Sequence, residues 1–189
     1  KQNLLVKSRK KYLYFKYPSW CSSKINLIEK ELNIFKNFKS SLRSEIIKAQ
    51  KNLSIEIIDQ KKNCEWIFKR YFSKKNKKKY KTISKNLFKY LDEEKIISIC
   101  AKFKGDICAG IIIYCHGKSS TYLISYNSNI GRKNYGNQFL LWEAIKYLKV
   151  KKYKELDLGG IDIDNNLSVA KFKLAFNGKL YKLVGTNLI

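Results

Sequence analysis

Hydrophobic residues in the second half of the chain form short runs that turn residues separate. Two strongly apolar, β-branched runs cover Lys95–Phe103 and Ile107–Cys115, and Lys104-Gly105-Asp106 lies between them. A second turn at Gly117-Lys118 leads into the run Thr121–Tyr126. Runs of this length, bounded by Gly and Asp, are typical of strands joined by tight turns. The pattern therefore predicts an antiparallel meander of three strands.

Helical and strand-like segments alternate after this meander. A loop over Asn127–Gly136 precedes a helix from about Gln138 to Lys149, where apolar residues recur at helical spacing. A short strand at Lys154–Leu158, a helix around Val169–Phe176 and a last strand at Lys179–Val184 complete the pattern. This order predicts an α/β (α+β) fold in which helices cover a mixed, mostly antiparallel sheet.

The first half of the chain has a mainly helical pattern. Apolar residues recur at helical spacing from Ile25 to Lys51, and Ser40-Ser41 is expected to divide this stretch into two helices. Before it, the alternating segment Tyr12–Tyr17 predicts a strand that Pro18 ends. A strand and two helices are predicted between this region and the meander: Ser54–Ile58, Glu65–Phe72 and Ile83–Leu91.

The composition restricts the class of protein. Hydrophobic residues make up 44% of the chain and aromatic residues 14%, which is enough to build a core. No apolar run approaches the roughly 20 residues that span a bilayer, and the start at Lys1-Gln2-Asn3 lacks the pattern of a secretory signal. The five cysteines form no C-x-x-C pair, and His116 is the one histidine, so zinc hydrolase and Ser-His-Asp chemistry are poorly supported. We therefore expect a cytoplasmic protein with reduced cysteines and no metal site.

The net charge of +25 favours polyanionic partners such as RNA, phosphorylated carriers or anionic lipid head groups. A lysine run from 74 to 81 is the densest cluster of this charge. It supplies the candidate nucleic-acid-binding residues Lys74, Lys75, Lys77, Lys78 and Lys79. Runs of this kind are more often solvated loops, so the run alone leaves both interpretations open.

Three segments carry candidate chemistry. The first is the loop before the long helix, where Gly136 and Asn137 begin the helix and Arg132 and Lys133 precede it. Glycine lets backbone N–H groups approach a ligand, and a helix N-terminus attracts phosphate. An ordinary strand-to-helix turn with solvated charges would have the same pattern.

The second and third segments lie further along the chain. In the strand that ends Asp157-Leu158-Gly159-Gly160, the absence of side chains at the tip allows a ligand to approach the backbone. The next helix carries Phe172 and Lys173; Phe172 has an i, i+4 partner in Phe176 and is most simply a core residue.

Taken in order, the three segments resemble the GNAT superfamily and, more narrowly, the FemABX family of non-ribosomal peptidyltransferases that build peptidoglycan bridges. Leu42–Lys51 is similar to the R-x-x-I-x-K-A-x-K helix of these proteins, and Leu140–Ile145 fits their helix after the loop. The resemblance spans Ser41–Val184. It implies a single GNAT-like acyltransferase domain over residues 41–189, preceded by an N-terminal strand and helical lead-in over residues 1–40 that is a remnant of, or link to, an upstream domain.

The resemblance also implies an activity and a set of site residues. The activity is transfer of an aminoacyl group from aminoacyl-tRNA to an amine such as that of a cell-wall precursor peptide, with no tightly bound cofactor. Lys173, which matches the lysine of the family's F-K pair, would stabilise the oxyanion, as a fixed positive charge can. The resemblance assigns no base; a separate base, where the reaction uses one, would be Asp157 or Tyr126. Seven residues would bind the donor near the diverging central strands: Arg132, Lys133, Gly136, Asn137, Gly159, Gly160 and Phe172.

Two alternatives remain open at this point. An acyl-CoA-dependent N-acetyltransferase would have the same fold and act on an amino sugar, a polyamine or a peptide amine. However, such enzymes present Q/R-x-x-G-x-G/A, whereas this chain has Arg132-x-x-x-Gly136-Asn137. A non-catalytic basic scaffold that binds RNA or an anionic surface is the other alternative. Both catalytic hypotheses require the loop after Tyr126, the Asp157 strand tip and the Lys173 amino group to meet in one cleft. The sequence leaves the oligomeric state open.

Overall fold

The computed structural model describes residues 20–58, 61–75 and 90–183, together with positions 6, 7, 13, 14, 84, 86 and 88. Its strands are β1 Val6–Lys7, β2 Leu13–Tyr14, β3 Cys21–Asn26, β4 Ser54–Ile58, β5 Ile96–Phe103, β6 Asp106–His116, β7 Ser119–Asn127, β8 Glu155–Asp157 and β9 Lys179–Lys182. Its helices are α1 Glu31–Asn37, α2 Ser40–Asn52, α3 Lys61–Lys75, α4 Asn129–Lys133, α5 Gly136–Val150 and α6 Leu167–Leu174.

Seven of these strands form one sheet in the order β4-β5-β6-β7-β8-β3-β9. The β7–β8 pair is parallel, and the other neighbours in this sheet pair in antiparallel fashion. The prediction of a mixed, mostly antiparallel sheet covered by helices is therefore confirmed. The meander is also confirmed: Lys104 and Gly105 both have positive φ, which suits the tight turn between β5 and β6.

Helices cover both faces of the sheet. The main core lies on one face, under α1, α2 and α5, and a smaller cluster lies on the other face, where Ile67 of α3 meets Ile112 and Ile124. Gly110 of β6 lets α3 approach closely, because a Cβ atom there would lie 2.6 Å from Ile67 Cγ1. Coverage on both faces explains why β5 and β6 are continuously apolar rather than alternating.

The first half of the chain differs from the prediction. The helical pattern was extended back to Ile25, but Ile25 lies in β3, which inserts between β8 and β9. Only the part from Glu31 onward is helical, and it breaks into two helices just before Ser40, as predicted. Ile25 and Leu27 are two residues apart, so they fit the alternating pattern of a strand as well as the helical pattern of the residues that follow. Residues 1–40 therefore contribute a strand to the sheet that residues 41–189 complete.

Smaller differences concern the loops. The segment predicted as an open loop before the long helix contains the short helix α4. Most of the predicted strand 12–17 and of the predicted helix 83–91 lies outside the described residues. The five cysteines are free thiols, and Cys100, Cys108 and Cys115 are buried, as predicted. Across the part of the chain that the structure describes, no helix combines the length and apolarity needed to cross a membrane.

Candidate active site

The side chain of Lys173 is buried near the middle of the sheet. Only 8% of it is exposed, whereas Lys171, two residues earlier on the same helix, is exposed. The Lys173 Nζ donates a 2.8 Å hydrogen bond to the carbonyl of Gly160 and lies 5.6 Å from the centre of the Tyr122 ring. Burial lowers the pKa of Lys173 to about 8, and the negative charge of Asp157 opposes this shift. At neutral pH Lys173 is therefore a largely protonated, poorly hydrated cation.

Aromatic packing holds this lysine in place. The Phe172 ring lies 5.5 Å from that of Phe176, which in turn lies 5.0 Å from Phe38 at the end of α1. Phe172 packs against the main core, so its contacts are those of a core residue. By anchoring α6 on the core, these rings turn Lys173 toward the sheet and leave Lys171 on the outer face of the helix.

The turn after β8 connects Lys173 to the carboxylate of Asp157. One carboxylate oxygen of Asp157 accepts hydrogen bonds from Ser22 Oγ at 2.5 Å and from the Gly159 N–H at 2.7 Å. The other accepts a hydrogen bond from the Tyr181 hydroxyl. Gly159 has φ +71, a conformation that favours glycine. The carboxylate thus fixes the turn that presents the Gly160 carbonyl to Lys173.

Strands β7 and β8 diverge at this point. They pair over three residues, ending at Thr121 and Asp157. A Cβ atom at Gly159 would lie 3.0 Å from the Tyr122 carbonyl oxygen and 3.5 Å from Lys173 Nζ. The Lys173 ammonium therefore lies at the opening between the two strands, and a side chain at position 159 would narrow it.

A β-bulge directs the Tyr122 ring toward Lys173. Ile113 pairs with Tyr122 and Ile112 with Ile124, so Leu123 has no partner in this register. Without the extra residue, Tyr122 and Ile124 would share one face of the sheet. With it, Tyr122 packs in the main core and Ile124 in the smaller cluster on the other face.

A short polar chain joins Tyr122 to the start of α5. Ser125 hydrogen-bonds with the Tyr122 hydroxyl, whose pKa burial raises to about 12. Asn137 Nδ2 donates to Ser125 Oγ at 3.2 Å, and among the described residues the buried Asn137 Oδ1 has no hydrogen-bond partner. The Asp157 strand tip and Lys173 thus meet at the opening between β7 and β8, and hydrogen bonds through Ser125 link Tyr122 beside Lys173 to Asn137 at the start of α5.

Comparison with known proteins identifies the family of this chain. A sequence model of the FemAB family matches residues 11–187, which is most of the chain. The chain belongs to the FemAB family. No curated protein sequence gives a significant match to it.

Solved structures agree with this FemAB assignment at the level of the fold. The crystal structure of FemX matches with a TM-score of 0.74 at 13% identity, covering 98% of this chain and 64% of FemX. The C-terminal domain of a putative lysylphosphatidylglycerol synthetase from Agrobacterium fabrum matches with a TM-score of 0.59 at 12% identity, covering 90% and 59%. L-PGS from Bacillus licheniformis has the same score and identity, covering 90% and 61%. The chain thus spans about three fifths of the length of these structures.

The remaining donor-site candidates of this FemAB chain lie on the loop after β7. Arg132 and Lys133 are exposed on α4, while Gly136 is buried at the start of α5. A Cβ atom at Gly136 would lie 2.8 Å from that of Ala109, so this glycine is needed for close packing of α5 on β6. The N-cap residue Tyr135 makes no side-chain hydrogen bond to the helix, which leaves the first N–H groups of α5 without a side-chain cap.

The structure does not bring Tyr126 to Lys173. Its ring lies on the α3 face of the sheet, 5.3 Å from the Trp66 ring, because it pairs with Gly110. The hypothesis that Tyr126 is the base is therefore wrong on geometric grounds. The tyrosine that meets Asp157 is Tyr181 of β9. Partial burial and the hydrogen bond to Asp157 raise the pKa of Tyr181 to about 12, so its hydroxyl remains protonated at neutral pH.

Sequence reasoning missed Tyr181, Ser22 and Tyr122, since no local motif marks them. Their role follows from strand order, which brings β9 and β3 beside β8. The lysine run cannot be placed in the same way. Lys74 and Lys75 end α3, and Lys77, Lys78 and Lys79 lie outside the described residues. Within the described residues, no group of His, Cys, Asp and Glu side chains is arranged to hold a metal ion.

Proposed function

We propose that this chain is an N-acyltransferase domain that moves an aminoacyl group from aminoacyl-tRNA to the amine of a cell-wall precursor peptide. Membership of the FemAB family supports this function, and one observation carries it: the Lys173 ammonium lies buried at the opening between β7 and β8. A positive charge held in a poorly hydrated position stabilises a developing oxyanion more strongly than one in water. The proposal includes a cytoplasmic location, where aminoacyl-tRNA is made.

The reaction needs little covalent chemistry from the protein. The neutral amine of the acceptor attacks the ester carbonyl carbon, and a C–N bond forms as the carbonyl oxygen becomes an oxyanion. Lys173 donates a hydrogen bond to that oxyanion, after which the C–O bond to the ribose breaks. The proton lost by the attacking nitrogen is transferred to the leaving ribose oxygen. Positioning of the two substrates supplies much of the remaining rate enhancement.

Asp157 has a positioning role in this scheme. Its oxygens are occupied by Ser22, Gly159 and Tyr181, so it holds the turn that carries Gly160. Tyr181 keeps lone pairs on its hydroxyl oxygen while it donates to Asp157. It can therefore accept a hydrogen bond from the acceptor amine and orient the nitrogen lone pair toward the ester.

Replacing Tyr181 with phenylalanine tests this part of the scheme. We expect Y181F to lower the kcat/KM for the acceptor about tenfold, because the amine loses one oriented acceptor and Asp157 loses one donor. The half-buried Tyr114 of β6 offers a matched control, since its ring stacks with that of His116 at a centroid distance of 6.3 Å. Initial rates at several acceptor concentrations measure the effect. Equal rates for Y181F and Y114F would remove Tyr181 from the scheme.

The identity of the donor is tested with the purified chain and two labelled donors. We expect saturable binding of aminoacyl-tRNA, and transfer of its label to a lysine-containing or branched precursor peptide. Acetyl-CoA is the comparison, because the uncapped start of α5 also suits a pyrophosphate. Saturable binding and transfer from acetyl-CoA alone would replace the proposal by the acyl-CoA-dependent alternative. Binding of tRNA without transfer of any label would favour a non-catalytic scaffold.

A further inference from the structure

A second cleft lies on the opposite face of the sheet, where α3 packs beside the end of β7. Trp66 and Arg70 are one helical turn apart on α3, and the Tyr126 ring meets the Trp66 ring edge-on at 5.3 Å. The Arg70 guanidinium lies 4.9 Å from the centre of the Trp66 ring and 5.7 Å from that of Tyr126. The Arg70 cation thus lies within cation–π distance of two aromatic rings that are nearly perpendicular to each other, while Arg70 as a whole is exposed to solvent.

The cleft is shallow and open to solvent, and its lining is mostly polar. Its volume is about 480 Å³, which lies within the usual range for ligand pockets. The lining residues are Trp66, Arg70, Lys102, Gly105, Asp106 and Ile107. The space beside Gly105 is open, because a Cβ atom there would meet nothing within 4 Å. Backbone and side-chain groups can therefore reach a ligand from the β5–β6 turn as well as from α3.

The charges in the cleft are arranged unevenly. Lys102 forms an ion pair with Glu56, while among the described residues no carboxylate forms an ion pair with Arg70. Asp106, on the opposite side of the β5–β6 turn, is exposed and supplies hydrogen-bond acceptors. A stacking plane, a cation and a carboxylate acceptor in one cleft match a nucleotide better than an apolar ligand or a bare anion. Guanidinium planes stack on bases, and carboxylates accept hydrogen bonds from exocyclic amino groups.

We propose that this cleft binds one nucleotide of a single-stranded RNA. The base stacks on the exposed Arg70 guanidinium, and Asp106 accepts a hydrogen bond from the amino group of cytosine or adenine. The identity of the RNA rests on the proposed function. A tRNA donor ends in a single strand of cytosine and adenine, and a uracil offers no amino group to Asp106.

The cleft lies apart from Lys173. The lining residue Ile107 lies six residues before Ile113, the β6 partner of Tyr122, which is about 20 Å along a strand. The two sites lie on opposite faces of the sheet, and the strand residues of the cleft belong to β5, β6 and the turn between them. A donor strand that reaches Lys173 would therefore have to run this distance along the sheet and also pass to its other face. The cleft would hold the RNA upstream of the aminoacyl end.

Binding of labelled hexamers of cytidylate, adenylate and uridylate to the purified chain, followed by fluorescence anisotropy at fixed salt, tests the proposal. We expect Arg70→Ala and Arg70→Lys each to weaken binding of the cytidylate hexamer about tenfold, because lysine keeps the charge but not the stacking plane. Asp106→Ala should abolish the preference for cytidylate and adenylate over uridylate. Lys69→Ala is the matched control: it removes the same charge one residue away and should change affinity less than twofold.

The outcomes separate this proposal from the function of the active site. Equal losses of hexamer affinity in Lys69→Ala and Arg70→Ala would overturn the proposal, and so would full affinity in Arg70→Lys. Either result indicates diffuse electrostatic attraction. If the cleft variants bind normally while the wild-type chain transfers from aminoacyl-tRNA, the cleft is rejected and the transferase stands. If the cleft variants bind weakly and the wild-type chain transfers nothing, the transferase is rejected and the cleft stands as an RNA site. Circular dichroism of each variant confirms that losses do not reflect unfolding.

Discussion

Replacing Lys173 with methionine is expected to lower the rate of acyl transfer about 10²- to 10³-fold, while donor binding changes less than about twofold. The loss follows from removing a buried cation that contacts the oxyanion in the transition state and contributes little to the bound ground state. Single-turnover rates with saturating donor measure the chemical step directly. Lys171→Met is the matched control, because Lys171 is exposed on the same helix. Its rate should equal that of the wild type.

Unfolding does not account for the expected loss in Lys173→Met. Burial of the Lys173 ammonium lowers its pKa, which means that the charged form is destabilised in the folded protein. Methionine fills a similar volume without that cost, so urea denaturation at pH 7 should show an equal or higher free energy of unfolding. A folded Lys173→Met variant with unchanged transfer would show that the ammonium plays no part in the reaction.

Replacing Gly131 with alanine is expected to destabilise the protein by about 3 kcal/mol. Gly131 lies on α4 in close contact with β6: a Cβ atom there would lie 2.2 Å from Asn127 Oδ1 and 2.6 Å from the Cys108 carbonyl oxygen. Backbone of a central strand cannot move aside cheaply. The midpoint of urea denaturation measures the effect.

Gly117→Ala is the control for this substitution. Gly117 has φ +57 and open space around its Cβ position, so alanine there costs only the left-handed backbone strain of about 1 kcal/mol. A loss in Gly131→Ala no larger than that in Gly117→Ala would contradict the close packing of α4 on β6. The glycines of the loop after β7 would then need another explanation, such as close approach of a ligand.

The meander and the long helix could be predicted because their signals are local. Lys104-Gly105-Asp106 separates two apolar runs, and the structure places β5 and β6 on either side of it. Apolar spacing in Gln138–Lys149 likewise specifies a helix without reference to other segments. Where strand pairing, turn chemistry and hydrophobic pattern agree over a few residues, sequence reasoning finds the element.

Strand β3 could not be predicted in the same way. Its last two residues, Ile25 and Asn26, were included in the predicted helical stretch, and its place between β8 and β9 depends on partners that are about 130 residues away in the chain or further. The same long-range pairing brings Ser22 and Tyr181 to Asp157. A site assembled by three strands from both ends of the chain leaves no compact motif for sequence reasoning to recognise.

For Lys173, the sequence predicts the position on a helix but not the burial of the side chain. Its helix could be placed, and its different face from Lys171 was evident from their spacing. Its burial was not evident, because the chain carries 40 basic residues and most lysines are solvated. The tertiary contacts of Phe172 and Phe176 with the core select this lysine from the others.

The pH dependence of single-turnover transfer, compared between the wild type and Lys173→Met, tests the oxyanion role of Lys173 most directly. Titration of the attacking amine affects both proteins equally. The wild-type rate divided by the Lys173→Met rate therefore reports the titration of Lys173 alone. Because the pKa of Lys173 is lowered to about 8, the ammonium persists below that pH and is lost above it. The oxyanion role predicts a constant ratio from pH 6.5 to about 8 and a fall of about tenfold per pH unit beyond. A ratio that rises through pH 8 would instead make Lys173 a base, and a ratio near one throughout would remove it from the reaction.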